Sequence, residues 1–283
     1  MSYEKFKERV YAHLGKCNSG KPGLWRGKCY PHILYVPDKK DKQKIIKKYN
    51  ILENARELPV ILHNFHTNAN HLNSSQIMCY NYFRPLLDHE GKHPSKELIR
   101  RIGANFQIDA SITEKAECCF EYEQKSQNWK WPDTTEKEEN EGSHFDFYIH
   151  EGNIEIFFEI KYTEDHFRRS SSNSNNEGNF KKKYDELYHK KIQSCPALKE
   201  ISFDTDFKKY YQIIRNVIRI TDKNKYSVFL FPEDNTRISN LLKYFVDNYV
   251  TNEYKDHIKL IHWKDVVGKI EEDSGFTHKY LEY

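Results

Sequence analysis

Three charged side chains interrupt two neighbouring apolar segments of the sequence. Asp146 lies between phenylalanines in HFDFYIHEG, and Glu159 and Lys161 lie inside IEIFFEIKYTED. Charged groups within a buried strand are costly unless another group compensates them. Strand alternation places Glu159 and Lys161 on one face with Phe157, and Ile156, Phe158, Ile160 and Tyr162 on the other. We therefore interpret these three residues as parts of one site.

A short turn joins the two segments. Gly152 and Asn153 form a favourable turn pair, so we predict an antiparallel hairpin in which Asp146 can face the same way as Glu159. Two carboxylates about 4 Å apart repel by roughly 4 kcal/mol at an effective dielectric constant near 20. A divalent cation between them turns this repulsion into attraction, and hard oxygen ligands favour Mg²⁺. Lys161 beside the metal can orient or deprotonate the attacking water, or stabilise a phosphorane-like charge.

The Glu-x-Lys pattern by itself is weak evidence. An acid-x-base triplet is expected by chance roughly seven times in a chain of this composition. The context is more selective, because it requires an Asp in a preceding apolar strand, a short turn and an apolar strand around the triplet. The alternative interpretation is an edge strand whose solvent face carries a surface ion pair.

The surrounding segments predict the elements that must position this site. Helical spacing is found in NSSQIMCYNYFRPLLDH, SKELIRRIGANF, TDFKKYYQIIRNVIRIT and TRISNLLKYFVDNYVT, and strand patterns in AECCFEYEQ, KYSVFLFPED and HIKLIHWKDVV. The order is helix, three strands, helix, strand, helix, strand. This order predicts an α/β fold with a mixed sheet flanked by helices.

Charge is distributed unevenly along the 283 residues, although the formal net charge is only +3. Residues 1–50 hold thirteen Lys or Arg and four Asp or Glu, whereas residues 114–141 hold nine acidic and four basic residues. A basic face near an acidic site suits a polyanionic ligand. An unevenly charged, solvated surface is the alternative.

Several classes of protein are disfavoured by the sequence. No apolar run approaches the roughly 20 residues that span a bilayer, and the N-terminus lacks an apolar signal-peptide core, so we expect a cytoplasmic protein with reduced cysteines. A zinc site from His13, Cys17, Cys29 and His32 matches no established spacing. The role of these four residues stays open.

The segments FDFYI and IEIFFEIKYTE resemble the Asp…Glu-x-Lys signature of the PD-(D/E)XK nuclease superfamily. HLNSSQIMCYNYFRPLL and YYQIIRN further resemble a family of bacterial restriction-type nucleases, and the similarity covers roughly residues 60–235. The resemblance implies a restriction-endonuclease-like αβββαβ core, with Asp146 and Glu159 as metal ligands and Lys161 as the catalytic lysine. The proline that usually precedes the Asp is absent, and that position varies within the superfamily.

Many members of the superfamily add a Glu or Gln ligand from the first core helix or the first strand. Here Gln76 and Glu121 are both candidates, and the sequence does not separate them. Glu121 lies on the polar face of its predicted strand, which favours it slightly.

Other polar residues are candidates for nucleic-acid contacts. Gln212 and Arg215 can share one face of a helix with Asn216, where they would hold phosphate or the attacking water. Gln76 lies at a predicted helix start, where free N–H groups bind phosphate. In both places, ordinary exposed polar or capping groups are the alternative.

Basic residues flank a loop rich in Ser and Asn just after the catalytic strand. Arg168, Arg169, Lys181 and Lys182 would give salt-dependent phosphate contacts. Trp25, Arg26, Trp129 and Trp131 can stack on bases or probe a groove, although Trp is equally suited to a core.

We therefore predict a Mg²⁺-dependent endonuclease of restriction or phage-defence type that cleaves double-stranded DNA, with Mn²⁺ able to substitute. Residues 70–283 would form the nuclease core, and residues 1–69 a basic N-terminal extension that contacts DNA. No membrane association and no nucleotide cofactor are expected. A homodimer is left open, because a symmetric double-strand cut needs two sites. The alternatives are a repair or structure-specific nuclease and a non-catalytic DNA-binding module.

Overall fold

The computed structural model describes residues 1–61, 65–123, 144–167, 181–182, 184–267 and 273–283. The strands within these ranges are β1 (Pro22–Trp25), β2 (Lys28–Leu34), β3 (Glu117–Glu123), β4 (His144–Glu151), β5 (Ile154–Ile160), β6 (Lys225–Phe231) and β7 (Ile258–His262). The helices are α1 (Tyr3–Cys17), α2 (Lys42–Tyr49), α3 (Glu53–Arg56), α4 (Ser75–Phe83), α5 (Lys96–Ala104), α6 (His189–Ser194), α7 (Lys208–Val217), α8 (Thr236–Tyr249), α9 (Trp263–Val266) and α10 (Ser274–Tyr280).

The central sheet has the order β3-β4-β5-β6-β7. The first two pairings are antiparallel and the last two are parallel, so the sheet is mixed. The predicted hairpin is present, with Glu151 paired to Ile154 and Gly152 at a φ of +62° in the turn. The predicted α/β class and the order of its elements are therefore confirmed.

The two faces of the sheet are covered by separate apolar cores. Ile156, Phe158 and Ile160 pack into one core together with buried residues of α1, α4, α5 and α10. Phe229 and Phe231 point to the opposite side and pack with α7 and α8. Strands buried on both faces read as continuous apolar runs, which explains the composition of β5 and β6.

Helix α4 lies against the middle of the sheet. Ser74 caps it by accepting a hydrogen bond from the N–H of Ile77, as its Asn/Ser-rich start predicts. Every residue from Gln76 to Phe83 is buried, and the Phe83 ring stacks on Phe147 with 4.1 Å between centroids. The polar start of α4 is thereby brought to the sheet.

The N-terminal segment folds against the same body. The residues of α1 that are buried, Tyr3, Phe6, Val10 and Leu14, belong to the core that covers the α4 side of the sheet. The predicted boundary between residues 69 and 70 remains a prediction. No helix in the described ranges is both long and apolar enough to cross a bilayer.

The segment that leaves β5 is held from three directions. The Tyr3 hydroxyl donates a hydrogen bond to the carbonyl of Thr163 at 2.7 Å. The side-chain amide of Asn73 donates one to the Thr163 hydroxyl at 2.7 Å. Asn235, which is fully buried, donates its amide to the carbonyls of Tyr162 and Glu164 at 2.9 and 2.8 Å. The same Asn235 side chain caps α8, so one residue joins this helix to the end of β5.

We expect Asn235→Ala to lower the free energy of unfolding by about 2–4 kcal/mol. It removes a helix cap and leaves two carbonyls without their side-chain donor. Asn248→Ala is the matched control, because Asn248 is an exposed asparagine of the same helix and should change stability by less than about 0.5 kcal/mol. Urea denaturation measures both, and equal losses would contradict the assigned role.

Candidate active site

Asp146 and Glu159 meet on adjacent strands. The register pairs Phe147 with Phe158, which places the two carboxylates next to this pair on the sheet. Asp146 Oδ2 accepts a hydrogen bond from the backbone N–H of Ile160 at 2.6 Å. The Asp146 side chain therefore occupies a position in the β4–β5 pairing that a backbone carbonyl would otherwise fill.

Glu159 is compensated by two partners. Its Oε1 accepts a hydrogen bond from Lys161 Nζ at 2.6 Å, and its Oε2 accepts one from Asn216 Nδ2 at 3.2 Å. The side chains of Glu159 and Lys161 are only 11% and 12% exposed. This is a buried ion pair, which explains how an apolar strand tolerates both charges.

The carboxylates around Lys161 set its protonation. Burial disfavours the ammonium, but Glu159, Glu164 and Asp146 outweigh this effect and raise the pKa of Lys161 above its ordinary value. The side chain is therefore an ammonium at neutral pH in this arrangement.

Neighbouring carboxylates also act on Asp146. Burial raises the pKa of its carboxyl well above the ordinary value, and the negative charges of Glu159 and Glu121 raise it further. Lys161 and the N–H of Ile160 act in the other direction and are outweighed. Three carboxyl groups thus lie close enough to repel one another.

Glu121 adopts an unusual backbone conformation. It lies between the Phe120–Phe147 and Tyr122–Phe145 pairs, and its φ is +50°, in the left-handed region. This conformation costs a non-glycine residue about 1–2 kcal/mol, and such strain is concentrated at functional sites.

The carboxylate of Glu121 is only partly engaged. Its Oε2 lies 3.0 Å from Nε2 of His66, while its Oε1 is buried without a hydrogen-bond partner. A buried oxygen without a donor is unusual in a folded protein.

Gln76, the other candidate ligand, also contacts His66. Its side-chain oxygen accepts a hydrogen bond from the His66 backbone N–H at 2.9 Å. Gln76 is 5% exposed. The structure therefore places both candidates at the site, and of the two only Glu121 carries a buried oxygen that has no hydrogen-bond partner among the described residues.

Asp146 and Lys161 open into a cleft of about 660 Å³. Gln76 and Gln212 line it too, so the amides of α4 and α7 face the same space. The remaining lining residues are Lys7, Tyr11, His66, Thr67, Asn68, His71, Asn73, Ser74, Ser75, Thr163, Glu164, Asp165 and His166.

Of the other predicted nucleic-acid contacts, the described residues Arg215, Lys181 and Lys182 do not line this cleft. The Arg215 guanidinium lies 5.4 Å from the Tyr211 ring. Lys181 and Lys182 are exposed and form ion pairs with Asp185 and Glu186. Arg168 and Arg169 lie outside the described residues, so these assignments remain predictions.

Sequence reasoning missed or undervalued three residues at the site. His66 connects Glu121 with Gln76, and nothing in its local sequence marks it. Asn216 binds Glu159, although it was only one of three polar candidates on α7. Glu164 lines the cleft and accepts the N–H of Tyr162 at 2.6 Å, and its place three residues after Lys161 is a signal that could have been used.

The donors fit a hard divalent cation, although they do not form a finished site. Within the described ranges, no three His, Cys, Asp or Glu side chains are already arranged to hold a metal ion, and this includes the four N-terminal Cys and His residues. The mutual repulsion at Asp146 and the partnerless oxygen of Glu121 are what a bound cation would relieve. Oxygen donors of this type suit Mg²⁺.

Asp146→Asn should stabilise the metal-free protein at neutral pH. The raised pKa means that the folded state binds this proton more tightly than the unfolded state does. Stability from this group is therefore present at low pH and is lost as the pH rises above the ordinary value of 3.8 towards the raised one. Asparagine removes the titration and keeps an oxygen for the N–H of Ile160.

Urea denaturation in EDTA at about pH 5 and about pH 8 measures this effect. The stability advantage of Asp146→Asn over wild type should widen with pH. Asp109→Asn, which changes an exposed aspartate, is the matched control. A wild-type protein that is the more stable one at the higher pH would contradict the charge assignment.

Comparison with known proteins identifies a family. The family model described as Restriction Endonuclease associating with ARP matches residues 42–283, which include every residue of the site discussed above except those of α1. No curated protein and no solved structure matches the chain. Because the match covers most of the sequence and agrees with the mixed α/β architecture, the chain belongs to this restriction endonuclease family.

Proposed function

We propose that the chain is a Mg²⁺-dependent endonuclease that hydrolyses phosphodiester bonds of double-stranded DNA, in restriction or phage defence. The observation that carries the proposal is the cluster of Asp146, Glu159 and Lys161 on adjacent strands, of which Asp146 and Lys161 line the cleft. Membership of a restriction endonuclease family supports the same reading.

The carboxylates of Asp146 and Glu159 would hold the metal, and Glu121 would complete the set with its partnerless oxygen. When bound, Mg²⁺ supplies a Lewis acid for the scissile phosphate and lowers the pKa of water; Mn²⁺ should substitute. Bringing a cation to this place also removes the repulsion that raises the pKa of Asp146.

Lys161 would provide the positive charge of the site. Its ammonium lies inside the cleft, held by Glu159, and it can donate a hydrogen bond to a phosphate oxygen that gains charge during attack. Since the side chain is mostly buried, its field is screened less than that of a surface lysine. Asn216, by binding the other oxygen of Glu159, would keep this pair oriented.

Amide groups on the walls of the cleft would position the substrate. Gln212 of α7 and Gln76 of α4 face the cleft from different sides, and amides can both donate to phosphate and accept from water. Lys7 lines the same cleft and belongs to the basic segment of residues 1–50, which suits a polyanion. The family is described as associating with ARP, and we propose the same association for this chain.

Cleavage of DNA tests the proposal directly. Purified protein is incubated with supercoiled plasmid and with phage DNA, in Mg²⁺ or in EDTA, beside Asp146→Ala. Discrete bands that need Mg²⁺ and are lost in the variant are expected. A smear lost in the variant would instead indicate a structure-guided or non-specific nuclease. DNA binding without cleavage of any substrate would contradict the proposed endonuclease activity and would favour a non-catalytic DNA-binding module.

Lys161→Ala should lower the cleavage rate by at least about 100-fold while DNA affinity stays within a few fold, because it removes a group that acts on the reacting phosphate. Rates come from plasmid nicking and affinities from fluorescence anisotropy in EDTA. Lys243→Ala, an exposed lysine of α8, is the matched control. Since the substitution also breaks a buried ion pair, the melting temperature is measured in parallel. Parallel losses of binding and cleavage in folded protein would contradict the catalytic assignment.

A further inference from the structure

The strands β1 and β2 form a two-stranded antiparallel ribbon that is not hydrogen-bonded to the central sheet. Leu24 pairs with Cys29 and Trp25 with Lys28. The two residues between them, Arg26 and Gly27, have φ values of +47° and +79°. A two-residue turn with both residues left-handed matches the twist of a hairpin, so the tip is a tight and well-defined structure.

The base of the ribbon is fixed to a segment that lines the cleft. The N–H of Leu34 donates to the carbonyl of Asn70 at 2.9 Å, and the Asn70 side chain donates back to the carbonyl of Leu34 at 3.0 Å. The N–H of Leu72 donates to the carbonyl of His32 at 2.9 Å. Residues 70–72 include His71, a lining residue of the cleft, so the ribbon and the cleft share one support.

The tip of the ribbon exposes large apolar side chains. Leu24 is 66% exposed and Trp25 is 36% exposed. The Trp25 ring lies edge-on to the His71 ring, with 5.0 Å between centroids, and the Arg26 guanidinium lies 5.6 Å from the Trp25 ring. One face of the tip therefore contacts the wall of the cleft, while Leu24 on the other face points to solvent.

The positive charge around the tip of the ribbon favours an anionic ligand. Residues 18–37 contain Lys21, Arg26 and Lys28 and no Asp or Glu. Exposed apolar groups ringed by basic groups fit duplex DNA, whose grooves present base edges and thymine methyl groups between the phosphates. A two-stranded ribbon also has the width that a DNA groove admits.

We propose that the β1–β2 hairpin is a DNA-reading element of this nuclease. It enters a groove of the duplex held in the cleft, places Leu24 and Trp25 against the bases, and sets Arg26 and Lys28 against the phosphates. The inference rests on the proposed function and adds to it the part of the chain that contacts bases. The hairpin lies before residue 42, where the family match begins.

Variants of the tip test this assignment in the Lys161→Ala background, where DNA is bound but not cut. Leu24→Ser and Trp25→Ala should each raise the Kd for duplex DNA about tenfold, the scale of one lost base contact. Their salt dependence should not change, whereas Arg26→Ala should reduce the slope of log K against log salt by about one. Tyr244→Ala is the matched control, since Tyr244 is 51% exposed and does not line the cleft.

Leu24→Ser is the decisive variant, because an exposed side chain can be replaced without disturbing His71. Alkylation of Cys29 gives a measurement that needs no variant, since this exposed cysteine pairs with Leu24. Saturating duplex DNA should slow its modification by iodoacetamide, followed by mass spectrometry of the Cys29 peptide.

The results separate the two proposals. Wild-type protein that neither binds nor cuts DNA overturns both. Wild-type protein that cuts DNA, while Leu24→Ser keeps full affinity and Cys29 reacts at an unchanged rate, overturns the hairpin assignment alone. In that case the tip would be available to a protein partner instead.

Discussion

The structure depends on keeping charge inside an apolar sheet. Glu159 lies in a strand that is buried on both faces, and it is tolerated because Lys161 and Asn216 bind its two oxygens. Buried ion pairs contribute little net stability, since desolvation offsets most of the attraction. Replacing Glu159 and Lys161 with well-packed apolar residues would often leave stability unchanged or increase it. Their presence supports the proposal of chemistry at the cleft, where Asp146 adds a third ionisable group beside them.

Much of the remaining fold holds this charged group in place. The segment after β5 receives hydrogen bonds from Tyr3 of α1, from Asn73 just before α4, and from Asn235 at the start of α8. Elements that are far apart in the sequence thus converge on the residues that follow Lys161. A functional group fixed by several rigid elements keeps its geometry better than one carried by a loop. The basic N-terminal helix is consequently part of the support of the site.

Glu121 shows the cost of such a site. Its left-handed backbone conformation is unfavourable for a glutamate, and one of its carboxylate oxygens is buried without a donor. Both features destabilise the fold in isolation. A cation bound between Glu121, Asp146 and Glu159 would give the buried oxygen a partner. It would also explain why the unfavourable backbone conformation is kept. The strained backbone of Glu121 and its buried oxygen without a donor mark this site in the structure, whereas the short sequence motif alone is weak evidence.

Sequence patterns alone predict the local arrangement: the Asp146 strand, the Gly152 turn, the alternation around Glu159, and the order of helices and strands. These follow from short-range patterns, because strand periodicity and turn chemistry act over a few residues. Which distant groups join them depends on tertiary packing. Spacing along α7 predicts a face shared by Gln212, Arg215 and Asn216. Packing brings Asn216 to Glu159 and Gln212 to the cleft, whereas Arg215 lies beside Tyr211, one turn earlier on the same helix. The bridge through His66 and the contact of Trp25 with His71 join segments whose separation along the chain carries no periodic signal.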